Sequence, residues 1–362
     1  MMLDGDRSFL FHSSSSRVIF GMGSLTKAPE EINRLRAKRV LILTTPGRKK
    51  LGEDMATELG AKAVGVFDRA VMHVPAEIAE RARGEAARLG ADLCVAIGGG
   101  SAIGLAKAIA AGASLPILAI PTTYSGSEMT STWGLTEHGI KKTLRDARVQ
   151  PQTVIYDPAL TLSLPAKLSA TSGMNAMAHC VEALYAQDAN PITSLLAEEG
   201  IRSLTKGLPA VVRDPLDRDA RSLTLYGAWL GGMSLGATTT ALHHKLCHIL
   251  GGAFDLPHSE THAVLLPHVT AYNARGAPRA MARIAQALAP EGVAKSAAQL
   301  LHDLEASMKT PLSLRSLGMN QDGVDHAAAL VMEKPFYNPS ALTKEGIRVL
   351  LEDAFEGRPP RI

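Results

Sequence analysis

Asn175 and His179 lie four residues apart in the stretch SGMNAMAHCVE, a spacing that puts both on one face of a helix. Further along, HHKLCHILGGAFDLPHSETH runs from His243 to His262 and supplies more imidazoles. Three histidines and one carboxylate would make a site for a divalent metal. The position that would complete such a set holds Asn175, an uncharged amide. The residues therefore pose two chemistries: metal-assisted catalysis, or hydrogen-bond donation and proton transfer by imidazoles alone.

A second group of residues suits a phosphate-bearing ligand. AIGGGSAIGLAKAI, from Ala96 to Ile109, reads as a strand, three glycines, a serine and a helix. Glycines let the backbone approach a phosphate and take positive φ. Ser101 is placed to cap the helix, whose first N–H groups carry partial positive charge. Gly98, Gly99, Gly100 and Ser101 thus form a candidate pyrophosphate seat. The spacing is not GxGxxG and the loop does not follow the first strand, so the ordinary dinucleotide fingerprint is absent. PTTYSGSEMT, from Pro121 to Thr130, also follows a strand and is crowded with hydroxyls that could line a ribose, phosphate or nicotinamide. FGMGSL, from Phe20 to Leu25, offers a third glycine turn opening a helix.

These loops need a scaffold, and the first half of the chain supplies one. Apolar runs at Arg39–Thr44, Ala63–Phe67, Leu93–Ile97 and Leu115–Ile120 alternate with helical stretches at Lys50–Leu59, Pro75–Leu89 and Ala102–Ala111. Such alternation predicts an α/β domain with a mostly parallel sheet. Beyond Asp157-Pro158 the strand-like runs nearly vanish and Ala- and Leu-rich helical stretches take over. The organisation expected is an α/β dinucleotide-binding domain over 1–160 and an all-α catalytic domain over 161–362, with the cleft between them as the default site.

The 362 residues, 46% hydrophobic and 20% charged, fit a globular protein of two domains. The net charge of +3 and the lack of any block of like charges give no support to nucleic-acid binding. Cys94, Cys180 and Cys247 lie far apart with no CxxC pair, which suits a reduced, cytoplasmic chain. Asp4, Asp6 and Arg7 stand where a signal peptide would need its apolar core. Leu223–Leu242 carries no formal charge over twenty residues, but its four glycines and four threonines favour a helix buried in the core over a membrane span. Its glycines would then let helices approach closely.

Taken together, FGMGSL, GGGSAIGLAK, PTTYSGSEMT, YDP at Tyr156, TSGMNAMAHCVEALY and HHKLCHILGGAFDLPH resemble the iron-type (group III) alcohol dehydrogenase family, with its dehydroquinate synthase-like fold. Within it, TTYSGSEMTSTWGLTEHGIKKTLRDARV and LYGAWLGGMSLG look most like the maleylacetate reductase branch. The resemblance implies NADH or NADPH as cofactor, hydride transfer, a small dicarboxylate substrate and a homodimer. It implies that Gly98–Ser101 hold the pyrophosphate and that Thr122, Thr123 and Ser127 lie along the cofactor. Thr45 stands where many relatives carry an acidic residue facing the adenosine ribose, and Gly104 where many carry aspartate. An acid at the first position would select NAD; its absence leaves both cofactors open.

The family's metal ligands, one Asp and three His, map onto Asn175, His179, His244 and His258. His248 corresponds to a further histidine of the site, and His243 has no clear family role. Losing the carboxylate lowers affinity for Fe²⁺ or Zn²⁺, so no metal is expected. The implied reaction is reduction of the C=C bond of maleylacetate to 3-oxoadipate in aromatic-compound breakdown. Conjugate hydride addition puts charge on the ketone oxygen, which His179, His244, His248 and His258 could stabilise as donors. Crowded imidazoles would have depressed pKa values. Lys245, Tyr124 and Tyr337 are candidate substrate-binding residues, and Lys141, Lys142, Arg145 and Arg148 further cations for a dianion. The competing readings are a metal-dependent alcohol dehydrogenase of the same fold and a nucleotide-binding protein without catalysis.

Overall fold

The computed structural model describes residues 9–11, 15–137 and 140–361; the side chains of 140–142 are outside that description. Asp4, Asp6 and Arg7, Ser13 and Ser14, and the side chains of Lys141 and Lys142 therefore lie outside the described residues. The chain divides into two compact units, one spanning Ser14–Leu164 and the other Pro165–Ile362, with residues 9–11 clustering with the latter.

The first unit is α/β. Its strands are β1 (Arg17–Phe20), β2 (Val40–Thr44), β3 (Ala63–Phe67), β4 (Leu93–Gly98), β5 (Ile117–Pro121), β6 (Thr132–Glu137), β7 (Ile140–Arg145) and β8 (Thr153–Tyr156). Its helices are α1 (Ala28–Arg34), α2 (Lys49–Leu59), α3 (Ala76–Arg88) and α4 (Gly100–Ala113). Among the described residues, six strands form a sheet in the order β1-β8-β5-β4-β2-β3, every neighbouring pair parallel. β2, β4 and β5 are buried at every position, which is why they read as unbroken apolar runs rather than alternating ones. β6 and β7 pair as a separate antiparallel hairpin. Its charged, half-exposed strands carry no such signal, and neither β1 nor β8 is long enough to announce itself.

The strand order reverses between β2 and β4. From β2 the chain moves outward to β3, and from β4 it moves the opposite way to β5. In parallel sheets, ligands bind beyond the carboxyl ends of the strands at such a switch point. Thr44 at the end of β2 pairs in register with Ile97 in β4, so Thr45 and Gly98 follow side by side at this place.

The second unit is helical among its described residues: α5 (Ala166–Tyr185), α6 (Pro191–Arg213), α7 (Arg218–Ala237), α8 (Leu242–Phe254), α9 (His258–Asn273), α10 (Pro278–Leu288), α11 (Ala297–Ser307), α12 (Asp322–Met332) and α13 (Lys344–Glu356). α5 is buried around nearly its whole circumference, as a central helix must be. The uncharged stretch Leu223–Leu242 is not one helix, as the sequence had suggested. α7 ends at Ala237, a short connection follows, and Leu242 opens α8. Three threonines in a row at 238–240 favour extended backbone over helix. The glycines do serve close approach. A Cβ at Gly231 would lie 2.8 Å from the Ala176 carbonyl oxygen, and one at Gly227 2.9 Å from Leu204 Cγ. No helix among the described residues is long and apolar enough to cross a membrane.

Candidate active site

The glycine loop of the first unit forms at the end of β4. Gly98 has φ +155, and a Cβ there would lie 2.9 Å from Ala102 Cβ. A Cβ at Gly99 would lie 2.7 Å from Thr123 Oγ1, so the glycine loop and the PTT loop touch and only glycine fits between them. Gly100, in contrast, has nothing closer to its Cβ position than Ser125 at 3.7 Å. Gly99, not Ser101, is the N-cap of α4, and no side chain caps it. This corrects the expected capping role of Ser101, which sits inside the first turn. Because the cap residue has no side chain, the leading amides of a long helix keep their donors for a ligand. The donor set and the room at Gly100 fit a pyrophosphate. Thr122 is buried, while Thr45, Thr123 and Ser127 are partly exposed. A cavity of about 290 Å³ lies just beyond Thr45 in the chain, lined by Gly47, Arg48, Leu51, Ala159, Leu160 and Ser163 among others.

The third glycine turn has another job. The Asp157 carboxylate accepts the amide of Gly23 at 2.9 Å and that of Leu25 at 3.0 Å. With a protein carboxylate already there, this turn is a structural lock and not an anion seat.

The second unit gathers the histidines. α5 carries Asn175, His179 and Glu182 at i, i+4 and i+7, all at most 5% exposed. α8 brings His243, His244, Cys247 and His248, and α9 brings His258 and His262. The His179 and His244 rings stack with centroids 5.2 Å apart, and His262 lies 5.1 Å from His244 and 4.5 Å from His258. His248 stands edge-on to His244 at 6.2 Å. His248 and His258 are half-buried. The four histidines singled out from sequence thus share one neighbourhood, together with His243 and His262.

Like His243 and Cys247, two more residues of this neighbourhood were not assigned a role from sequence. Glu182 accepts His244 Nδ1 at 2.5 Å, the His243 amide at 2.8 Å and the Ala241 amide at 3.2 Å. It therefore orients one imidazole and also caps α8, whose own N-cap residue provides no side-chain acceptor. Burial works to raise the Glu182 carboxyl, but the neighbouring His244 and His243 hold it below the ordinary carboxylate value. Its signal in the sequence was its position seven residues after Asn175, on the same helix face. The second is His262, whose Nδ1 lies 2.9 Å from His243 Nε2. Cys247 Sγ approaches the same nitrogen at 3.6 Å.

Burial sets the charge state of the cluster. It pulls His243 down to about 3 and His179 and His262 well below the ordinary imidazole value, and the other histidines add to the shift. These rings are neutral near pH 7 and donate through a neutral N–H. Asn175 Oδ1, His179 Nδ1, His244 Nε2 and His262 Nε2 are buried without a hydrogen-bond partner. Such atoms are costly unless a ligand satisfies them.

In the family's metal set, Asn175 contributes no charge where the resemblance places a carboxylate, and the His179 and His244 rings stack. Among the described residues, the set of three His, Cys, Asp or Glu side chains with ligand atoms within 4.8 Å of one another is His243, Cys247 and His262. There, His243 Nε2 and His262 Nδ1 already satisfy each other. Burial also holds the Cys247 thiol well above its ordinary value, whereas a metal ligand must be the thiolate.

Of the substrate candidates, Lys245 is half-buried with Nζ 5.8 Å from the Phe336 ring centroid. Tyr337 is 37% exposed and Tyr124 is fully buried. Arg148 pairs with Asp146 at 2.6 Å, and Arg145 is exposed on the β6–β7 hairpin.

This fold, with a parallel sheet followed by a helical unit bearing clustered histidines, is that of the iron-containing alcohol dehydrogenases, and the chain belongs to that family. The model of the iron-containing alcohol dehydrogenase matches residues 15–158, and that of the family's C-terminal part matches 169–355. The chain is 53% identical to a maleylacetate reductase of Burkholderia cepacia, over 98% of this chain and 99% of that one. The crystal structure of maleylacetate reductase from Agrobacterium tumefaciens superposes with a TM-score of 0.93 at 47% identity, covering 98% of this chain and all of that one. An iron-containing alcohol dehydrogenase from Corynebacterium glutamicum gives 0.91 at 42% identity, with 97% and 98% covered.

Proposed function

We propose that the chain is an NAD(P)H-dependent maleylacetate reductase of aromatic-compound catabolism, working as a cytoplasmic homodimer without a metal. The observation that carries this reading is identity of about half over the whole chain to maleylacetate reductases. Asn175, in the place of the family's metal-binding carboxylate, supports the metal-free part.

In this reading residues 1–160 bind the dinucleotide and 161–362 supply the catalytic side chains. Gly98, Gly99, Gly100 and Ser101 seat the pyrophosphate on the amides of α4. Thr122, Thr123 and Ser127 line the cofactor, and Thr45 faces the ribose without a carboxylate, so a 2′-phosphate meets no repulsion there. Hydride adds to the alkene carbon conjugate to the ketone, and the electron pair moves to the ketone oxygen. The resulting enolate accepts hydrogen bonds from the imidazole N–H groups of His179, His248 and His258, beside His244, whose Nδ1–H is given to Glu182. The carbon next to the ketone then takes one proton, giving 3-oxoadipate and oxidised cofactor. Donors arranged before charge develops are the strongest single source of such rate enhancement. Asn175 adds a neutral amide where a carboxylate would add a second negative charge to that of Glu182. Lys245 and Tyr337 are placed by this reading at the substrate carboxylates. Tyr124 packs inside the cofactor loop, with no surface to offer a substrate.

One observation favours a second reading, a metal-dependent alcohol dehydrogenase. The His243, Cys247 and His262 side chains have ligand atoms close enough for an ion if their mutual hydrogen bond opens. NADH oxidation with maleylacetate by chelator-treated enzyme separates the two: the first reading requires turnover, the second requires its loss and recovery with added Fe²⁺ or Zn²⁺.

A further inference from the structure

Lys107 lies two turns into α4, in the GLAK segment, and is 0% exposed. Its ammonium donates to four oxygens of one stretch: Ser127 O at 2.6 Å, Thr130 O at 2.7 Å, Thr130 Oγ1 at 2.9 Å and Thr132 O at 2.8 Å. Three of the four are backbone carbonyls, so the contact fixes the path of the chain rather than any one side chain. The other side of the same loop is held by Glu128, also 0% exposed. Its carboxylate accepts the Tyr156 hydroxyl at 2.9 Å and the Ser125 hydroxyl at 3.2 Å.

We propose that Lys107 is a positioning residue for the cofactor, locking the 122–132 loop onto the helix whose first turn seats the pyrophosphate. The two halves of the seat touch where Thr123 closes on Gly99, and Ser127, one of the cofactor-lining hydroxyl residues, is held by Lys107 through its own carbonyl. The lock and the seat therefore belong to one helix, and a shift of the loop changes the shape of the seat directly. A lysine in an apolar interior is expensive unless its hydrogens are all used. Burial pulls this one down to about 7, against the opposing pull of the Glu128 carboxylate, while the oxygens take up its hydrogens. An apolar side chain of like length would fill the same volume without holding the loop.

The inference rests on the proposed cofactor seat, so its test reads cofactor binding apart from turnover. NADH is titrated into the purified full chain by fluorescence, for the wild type, Lys107→Met and Thr130→Val, with thermal unfolding as the check on folding. Loss of the ammonium should weaken NADH binding by about tenfold or more, the scale of one or two buried hydrogen bonds. Thr130→Val, which removes one of the four acceptors, should weaken it by a smaller factor. KM for maleylacetate should stay within about twofold in both, because the lock acts on the cofactor loop alone. A folded Lys107→Met that binds NADH like the wild type overturns the inference while leaving the seat intact. If Lys107→Met does not fold, an unchanged affinity in Thr130→Val does the same. Wild-type protein that fails to bind NADH overturns both the seat and the inference.

Discussion

Glu182 and His244 meet through a 2.5 Å contact between a carboxylate oxygen and Nδ1, and the same carboxylate accepts two amides at the start of α8. One acid thus fixes both a helix end and the ring that this helix presents. The Nδ1 proton is committed to the carboxylate, which leaves Nε2 as the atom of His244 without a protein partner.

Removal of that acid should be costly in two ways. Glu182→Ala leaves His244 and two amides without their acceptor and should lower stability by about 3–5 kcal/mol, read from denaturant unfolding. Glu182→Gln keeps the volume and one acceptor oxygen; it should fold, with a lower kcat and little change in KM for NADH.

His244→Ala removes the ring that Glu182 orients in the proposed enolate site. A fall in kcat/KM of about 10²- to 10³-fold is expected, with NADH affinity unchanged by fluorescence titration. Equal losses in NADH binding and turnover would place His244 outside the chemistry.

Asn175→Asp restores the carboxylate that the family's metal set requires. The variant should retain about one Fe²⁺ or Zn²⁺ per chain after dialysis where the wild type retains little, measured by elemental analysis. Its rate of maleylacetate reduction should fall, since the new charge opposes the enolate.

The structure gives a local reason for glycine at position 104. A Cβ at Gly104 would lie 2.9 Å from Val74 Cγ2, and Val74 itself is held at φ 47, an uncommon conformation for a β-branched residue. Gly104→Ala should cost about 1–3 kcal/mol by overpacking. Combined with Val74→Gly the cost should be less than the sum of the two single changes, as denaturant midpoints would show.

His268, on α9, is 5% exposed, and burial pulls it down to about 4 despite the opposing pull of Asp353, with His302 adding to the fall. A histidine depressed in the folded state takes up its proton in the unfolded chain first. Its contribution to stability is therefore complete above the unfolded value near 6.5 and is lost as pH falls from there through about 4. Melting temperatures followed over this window should fall more gently for His268→Gln than for the wild type.

Much of the scaffold was legible because it depends on local pattern. β2, β4 and β5 came from buried apolar runs, β3 from a half-buried one, α5 from helical spacing, and the glycine loop from three glycines between a strand and a helix. What escaped depends on partners distant in sequence. Glu182 looks like any acid in a helix until α8 arrives sixty residues later with its free amides. Lys107 carried no signal of its own, because the carbonyls that hold it belong to a loop whose course the sequence does not display. The turn at Gly23 looked like a phosphate site because Asp157, which fills it, comes from the far end of the unit. Ser101 was misjudged as a cap by two residues: Gly99 takes the cap position, and that is what keeps the amides open.

The central claim is reduction of maleylacetate by imidazole donors without a metal. Its most direct test is NADH oxidation with maleylacetate by enzyme dialysed against a strong chelator and shown by elemental analysis to hold no Fe or Zn. The account predicts undiminished turnover that added Fe²⁺ or Zn²⁺ does not raise. Turnover abolished by the chelator and restored by either ion would contradict it.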